Sequence, residues 1–600
     1  MPALSFALGV VVTAAAAFVG SAGAASSRPN ILFLQCDEMD GRVLDPSHPL
    51  SKVTRMPNLA RLAGRGVNFV ATYAENPLCA PSRASTFTGR RTASIRVWNN
   101  VKAIASLIDD PSRPDPACAK IVGYGPEWCV AEGRRQNVTS SIRHALVGLG
   151  YDFQVYGKMD TGGGICRAGI DECDATGYHD TGNWSASGSG PTKRTYYPGD
   201  LIHSWAGSAG IDRPIFMPLD VRNGWVNETN PAGGPFPTDW PYINKCVDYL
   251  RKLPSSASSH AAAAAPFALY CSVLDPHPPY FTNATWLAEI DDVALDATIN
   301  ATRWQPLELV HPADRFQFVA EGVPAQYDRA LARRLARAWH GQTAETDAMM
   351  GAVLDALDAS PAAESTFILF TSDHGEMHLE HRHVEKMTHY EGAARVPMII
   401  AGPGVPRGRT EPTLTSLLDV FATFVDVGGA APPGFADGYS LLPVVGVASN
   451  DKRIRPDHVA AMAASDSLNA GQFMLRQGKW KLIAYATAAS PKTFPPQLFD
   501  VSTDIWEMHN VADQNPAVVA SMDALLRTQI DYPAVMQEYE DQGHDWAGRW
   551  TAAFPDEGWK PLLHAAFRNF SAADEAKFER WLGGQGVAQT AANAQREQLR

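Results

Sequence analysis

Short apolar runs recur along the chain, and several end in a cluster of charged or polar residues. Asn30–Cys36 is apolar almost throughout, the pattern of a strand buried on both faces, and it leads into Asp37-Glu38-Met39-Asp40-Gly41-Arg42. Residues 67–73 predict a second strand, leading to Cys79, and residues 151–156 a third, ending in Gly157-Lys158-Met159-Asp160. Residues 267–274 run into Asp275-Pro276-His277-Pro278-Pro279, and residues 366–370 into Ser372-Asp373-His374-Gly375-Glu376. One more strand, 398–401, precedes the turn Gly402-Pro403-Gly404. Helical spacing covers 56–64, 142–149, 241–253, 329–357 and 414–424. A helix opening around 85–89 would put Cys79 at a helix N-terminus, where free N–H groups favour an oxyanion. Alternating strands and helices specify an α/β fold, and such folds bind ligands beyond the carboxyl ends of their strands. Asp37, Lys158, His277 and Asp373 all fall at such ends.

Beyond residue 450 the runs become short and alternating, at 473–476, 480–485 and 497–500, with a helix at 516–526. This predicts a small antiparallel sheet with a helix packed on it. A chain of 600 residues exceeds what one core organises. We divide it into a large domain at 25–449, a smaller α+β domain at 450–535 and a helical extension at 536–600. Residues 109–139 and 161–236, rich in Gly, Ser, Pro and Cys, are expected to be loops. Residues 3–20 are apolar and uncharged, and Ala22-Gly23-Ala24 supplies a small-residue cleavage pattern. They predict a signal peptide at 1–24, with a membrane anchor as the alternative that the cleavage pattern disfavours. The expected destination is the secretory pathway, secreted or lysosomal.

Eight cysteines fit an oxidising route. Cys118 with Cys129 and Cys166 with Cys173 are candidate local disulfides, Cys246 with Cys271 is a further one, and Cys36 is expected to be a buried free thiol. Asn137, Asn183, Asn227, Asn283, Asn300 and Asn569 are glycosylation acceptors. A net charge of -13 argues against nucleic acid and anionic membranes as partners. An anionic substrate therefore has to be met by a local cluster of cations.

The sharpest motif is Cys79-Ala80-Pro81-Ser82-Arg83, closed by Thr88-Gly89. Asp37, Gly157-Lys158, His277 and Asp373-His374-Gly375 accompany it, as does Lys386, twelve residues beyond His374. This set resembles the signature of the type I sulfatases. In that family the cysteine is oxidised after translation to Cα-formylglycine (3-oxoalanine), and a formylglycine-generating enzyme reads the proline and arginine. The resemblance covers nearly the whole chain. Asp40-Gly41-Arg42, Trp98-Asn99-Asn100, Glu380-His381-Arg382 and Asp531-Tyr532-Pro533 bring it nearest to the glucuronate 2-sulfatases of the family.

The fold this implies is alkaline-phosphatase-like: a mixed central sheet between helix layers, with a smaller C-terminal antiparallel sheet domain. The implied nucleophile is formylglycine at position 79. One hydroxyl of the hydrated aldehyde attacks sulfur, and the second re-forms the aldehyde as sulfate leaves. Arg83 orients that hydrate. Ca²⁺ is held by Asp37, Asp373, His374 and the modified Cys79, with Glu38 standing where many members carry a second aspartate. Lys158, His277 and Lys386 bind the sulfate oxygens, and one of them protonates the leaving oxygen. Asp160 stands where the usual form has histidine. The implied substrate is a sulfated carbohydrate, a sulfated uronate, whose carboxylate Arg382 would meet with help from His381 or His383. A surface ion pair of Arg382 with Glu380 or Glu385 is the plain alternative. Two rival functions stand beside this one: a phosphate-ester hydrolase of the same superfamily, and a glycan-binding protein that never receives the aldehyde.

Overall fold

The computed structural model describes most of residues 28–100, 140–159, 239–254, 265–464, 470–488, 494–552 and 560–583. The expected signal peptide and the loops at 109–139 and 161–236 lie outside the described residues. So do Asp160, the cysteines at 118, 129, 166 and 173, and the acceptors Asn137, Asn183, Asn227 and Asn569.

β1 (Asn30–Cys36) shows why the apolar runs become central strands. Ile31 and Phe33 enter one core, while Leu32, Leu34 and Cys36 enter another on the opposite face. β2 (Gly66–Tyr73), β3 (Asp152–Gly157), β4 (Phe267–Ser272), β5 (Thr366–Ser372), β6 (Arg395–Ala401), β7 (Arg409–Glu411) and β8 (Thr415–Ser416) complete the sheet. Its order is β3-β4-β1-β5-β6-β2-β7, with β8 beside β2. β3, β4, β1 and β5 are mutually parallel. β6 is antiparallel to both β5 and β2, so β2 again points the same way as β5. The carboxyl ends of β1 to β5 therefore all open on one edge of the sheet. The mixed sheet between helix layers is the alkaline-phosphatase-like arrangement.

α1 (Pro57–Arg65) covers one face of the sheet, and α2 (Cys79–Thr88) follows β2. α3 (Ile142–Gly148) lies on the opposite face from α1, whereas α4 (Trp240–Arg251) and the thirty-residue α5 (Arg329–Asp358) join α1. α6 (Asp419–Val427) packs beside α3. The predicted helix at 414–424 is thus corrected. Thr415–Ser416 pairs with β2 instead, and the Asp419 carboxylate accepts the Ser416 N–H at 2.9 Å, so the helix begins only there. A disulfide joins Cys246 of α4 to Cys271 of β4, and Cys36 is a buried free thiol.

β9 (His458–Ala464), β10 (Gly471–Gln477), β11 (Trp480–Ala486) and β12 (Gln497–Asp500) form a separate antiparallel sheet in the order β12-β11-β10-β9. α7 (Pro516–Gln529), α8 (Tyr532–Ala552) and α9 (Ala572–Leu582) cover one of its faces with Met522, Leu526, Tyr532 and Trp581. Ile483, Tyr485 and Met474 on the other face pack against Tyr73 of β2 and against Tyr390, Ala393 and Ala394, just before β6. Lys481, fully buried in that seam, pairs with Glu391 at 2.9 Å and Glu507 at 2.8 Å. Among the described residues no helix is long and apolar enough to cross a membrane.

Candidate active site

Five strand ends deliver the polar cluster. Cys79 is the first residue of α2, and the Gly89 cap, at φ 65°, ends that helix in the left-handed region. The helix therefore spans the whole motif instead of opening near Ser85. Phe87 locks it to the sheet against Phe33 and Tyr270, with ring centroids 6.1 and 5.1 Å away.

Arg83 is fully buried and ties the strand ends together. Its Nε donates to Asp373 Oδ2 at 2.7 Å and its Nη2 to Asp37 Oδ2 at 3.0 Å. Its Nη1 faces the Ser272 hydroxyl at 2.9 Å and the Tyr270 hydroxyl and Lys158 carbonyl, both at 3.1 Å. Cys79 Sγ lies 3.2 Å from His374 Nε2 and 3.9 Å from Asp37 Oδ1. Asp37, Cys79, Asp373 and His374 each bring one ligand atom within 4.8 Å of the others, all four buried. Two carboxylates beside an imidazole suit a hard divalent cation.

Cations surround the same point. Lys158 Nζ pairs with Asp37 Oδ2. Gly157 makes that approach possible, because its φ is 98° and a Cβ there would overlap the Ser272 carbonyl. Lys386 Nζ lies 2.7 Å from both Glu38 Oε2 and His277 Nε2. His277 Nδ1 donates to the Pro278 carbonyl at 2.6 Å, which leaves Nε2 facing Lys386 and Glu38.

Electrostatics follow from this packing. Burial alone would raise the Asp37 carboxyl, but Lys158, His277, Arg83 and His374 hold it well below the usual range. Burial pushes the Cys79 thiol up, and Asp37 adds to the effect. An encoded thiol at this position is therefore a poor nucleophile, since the thiolate is the reactive form. Burial opposes the Lys386 charge, but Cys79, Glu38, Glu385 and Asp37 outweigh it and raise its pKa well above normal.

The segment at 380–383 distributes its side chains differently from the expectation. His381 stacks on Tyr390 at 3.9 Å and contacts the Trp506 carbonyl at 2.9 Å, while His383 meets Asp314 at 3.2 Å. Burial pushes His381 down to about 4, so it is neutral near pH 7. Glu380 is taken by Arg42 at 2.9 Å. The Arg382 guanidinium lies over the Trp304 ring at 4.4 Å and donates to the Gln305 carbonyl at 2.9 Å. Its position is thus set by an aromatic platform from a distant segment.

Some contributors carried no separate sequence signal. Asn100 Oδ1 accepts the Ala80 N–H at 3.0 Å, on the first turn of α2. The Asp239 carboxylate accepts the N–H groups of Leu274 at 2.6 Å and Asp275 at 2.9 Å, fixing the turn that carries His277. Ser272 and Tyr270 reach Arg83 from the strand interior. Only Asn100 belonged to a run, Trp98-Asn99-Asn100, that the sequence had marked.

Comparison with known proteins places this geometry. The sulfatase family profile matches residues 29–430, and that of the N-sulphoglucosamine sulphohydrolase C-terminal region matches residues 379–532. Arylsulfatase K of Gallus gallus is 29% identical over 530 residues, covering 85% of this chain and 84% of the relative. A solved 2-O GAG sulfatase superposes with a TM-score of 0.54 at 20% identity, covering 85% of this chain and 93% of the other. The phosphonate monoester hydrolase of Agrobacterium radiobacter gives 0.54 at 22% identity, with 84% and 96% coverage, and so shares the fold. With its family profile spanning two thirds of its length and its strand ends converging on Cys79, this chain belongs to the sulfatase family and is a sulfuric ester hydrolase.

Proposed function

We propose that Cys79 is converted to formylglycine and that the chain, with Ca²⁺ bound, removes sulfate from a sulfated uronate in a glycan. The observation that carries this reading is the position of Cys79. It is fully buried at the first residue of a helix, 3.2 Å from His374, with Arg83 bridging Asp37 and Asp373 beside it. Its Sγ marks where an oxygen of the hydrated aldehyde would sit. Calcium, held by Asp37, Asp373 and His374, would neutralise charge on the bound sulfate.

The chain's own residues account for the remaining steps. Arg83 orients the hydrate and offsets the charge of the two carboxylates. Lys158 and Lys386 bind sulfate oxygens from two sides, and their charge favours a leaving oxygen that becomes negative. His277 is oriented by the Pro278 carbonyl and stands within reach of Lys386, so this pair carries the proton for the leaving group.

A sulfated carbohydrate is supported by the similarity to arylsulfatase K and to a GAG sulfatase. We assign the uronate carboxylate to Arg382, whose planar guanidinium can bind it through two hydrogen bonds. A secretory route, secreted or lysosomal, with maturation by a formylglycine-generating enzyme, completes the reading. The test compares 2-O-sulfated uronate disaccharides with their carboxyl-reduced counterparts and with phosphate esters. Preference for the intact uronate, lost in Arg382→Ala, is expected. Equal rates on both sugars would refute uronate selectivity, and faster phosphate-ester turnover would favour the rival hydrolase.

A further inference from the structure

We propose that Glu38, standing where many sulfatases carry a second aspartate, serves in this chain as the anchor of Lys386 and not as a calcium ligand. The inference rests on the calcium centre proposed above and concerns which residues build it.

The Glu38 side chain reaches Lys386 from an unusual backbone turn. Its φ is 68°, a left-handed conformation uncommon for glutamate. The turn is held from several sides. The Glu38 N–H donates to Asp373 Oδ1 at 3.2 Å, its carbonyl accepts the Trp339 indole N–H at 3.1 Å, and the next N–H, of Met39, donates to Ser372 Oγ at 2.9 Å. Consecutive residues therefore serve different neighbours. Asp37 belongs to two compact groups of ligand atoms, one with Cys79, Asp373 and His374 and the other with Glu38 and His277, so Glu38 stands outside the group that contains Cys79. Each of the two adjacent carboxylates also holds one of the two lysines: Asp37 takes Lys158, and Glu38 takes Lys386 at 2.7 Å. Glu38 Oε2 stands 3.4 Å from His277 Nε2, so one oxygen serves both sulfate-facing groups. The extra methylene of glutamate over aspartate supplies this reach. Burial pushes the Glu38 carboxyl well above the usual range; Lys386 pulls against that, while a hydrogen bond to the Glu376 side chain and the charges of Glu376 and Glu385 add to it.

Glu38 is then a positioning residue. It competes with sulfate for the Lys386 ammonium and keeps that ammonium in place when the site is empty. Weakening its hold on Lys386 should tighten anion binding, whereas removing a metal ligand should weaken it. The sign of the change separates the two roles.

The experiment uses Glu38→Gln, which keeps the shape, and Glu38→Asp, which withdraws the carboxylate by one methylene on a residue that tolerates positive φ better. Calcium binding is measured by calorimetry on chelator-treated protein, and inorganic sulfate binding by its inhibition of turnover. The anchor role predicts a calcium Kd within about threefold of wild type in both variants and a sulfate Ki at least about fivefold tighter in Glu38→Gln. A calcium Kd weakened by about thirtyfold or more in Glu38→Gln, or a sulfate Ki unchanged or weaker, overturns the inference. Wild type that binds no calcium would overturn the centre itself, a failure visible before either variant is measured.

Discussion

Replacing Arg83 tests the keystone of the site. Its guanidinium is fully buried and donates to Asp373 at 2.7 Å and Asp37 at 3.0 Å, with Ser272, Tyr270 and the Lys158 carbonyl around its remaining nitrogen. Arg83→Met strands two buried carboxylates, and breaking a buried pair by removing one partner costs about 3–5 kcal/mol. Arg83→Lys keeps the charge, but a single nitrogen cannot span both carboxylates and the carbonyl. It should therefore lose about 2–3 kcal/mol, with the acceptors it abandons making up most of the loss. Urea unfolding followed by tryptophan fluorescence, in chelator and then in excess calcium, reads both numbers. Calcium should restore part of the Arg83→Met deficit, because a cation between Asp37 and Asp373 replaces the lost charge. An Arg83→Met protein within about 1 kcal/mol of wild type in chelator would refute the reasoning, since it would mean that the two carboxylates need no partner.

Other expectations follow from the same packing. Asp373→Asn should weaken calcium binding by at least about tenfold, read by calorimetry, because it removes one of two charged oxygen ligands; an unchanged Kd would place the ion elsewhere. Lys481→Met should cost about 3–5 kcal/mol in urea unfolding by stranding Glu391 and Glu507 in the seam between the two sheets. A loss below about 1 kcal/mol would show that the seam tolerates unpaired carboxylates. His340 is pushed by burial down to about 3, so the folded protein binds its proton less readily than the unfolded chain does. Its contribution is intact above pH 6.5 and is lost as pH falls from there toward 3, at about 1.4 kcal/mol per pH unit. His340→Asn should flatten the stability profile by that slope between pH 6.5 and 4, and an unaltered slope would contradict the neutral buried ring.

Much of the fold was legible because burial on both faces leaves a continuous apolar run. β1, β4 and β5 are such runs, and each is followed by the residue it delivers: Asp37, His277 or Asp373. The glycines of the motifs were legible as letters, and the structure supplies their reason. A Cβ on Gly157 would overlap the Ser272 carbonyl, and one on Gly375 would overlap the Gly392 carbonyl. What escaped the sequence depends on partners far along the chain. Arg382 rests on Trp304, and Glu380 is claimed by Arg42, 338 residues away, so neither contact could be read locally. The helix predicted at 414–424 failed for a similar reason. Its first residues had the right apolar spacing, but β2 offered a strand partner and Asp419 an acceptor for the Ser416 N–H. The turn at Glu38 is set by Asp373 and Trp339, both more than 300 residues away.

The central claim is that position 79 carries an aldehyde. The direct measurement is the mass of the tryptic peptide ending at Arg83, from protein made alongside a formylglycine-generating enzyme. The account predicts a peptide lighter than encoded by the difference between a CH₂SH and a CHO group, in proportion to the protein's sulfatase activity, with Cys79→Ala folded and inactive. An active protein whose peptide carries only unmodified or disulfide-linked cysteine would contradict it.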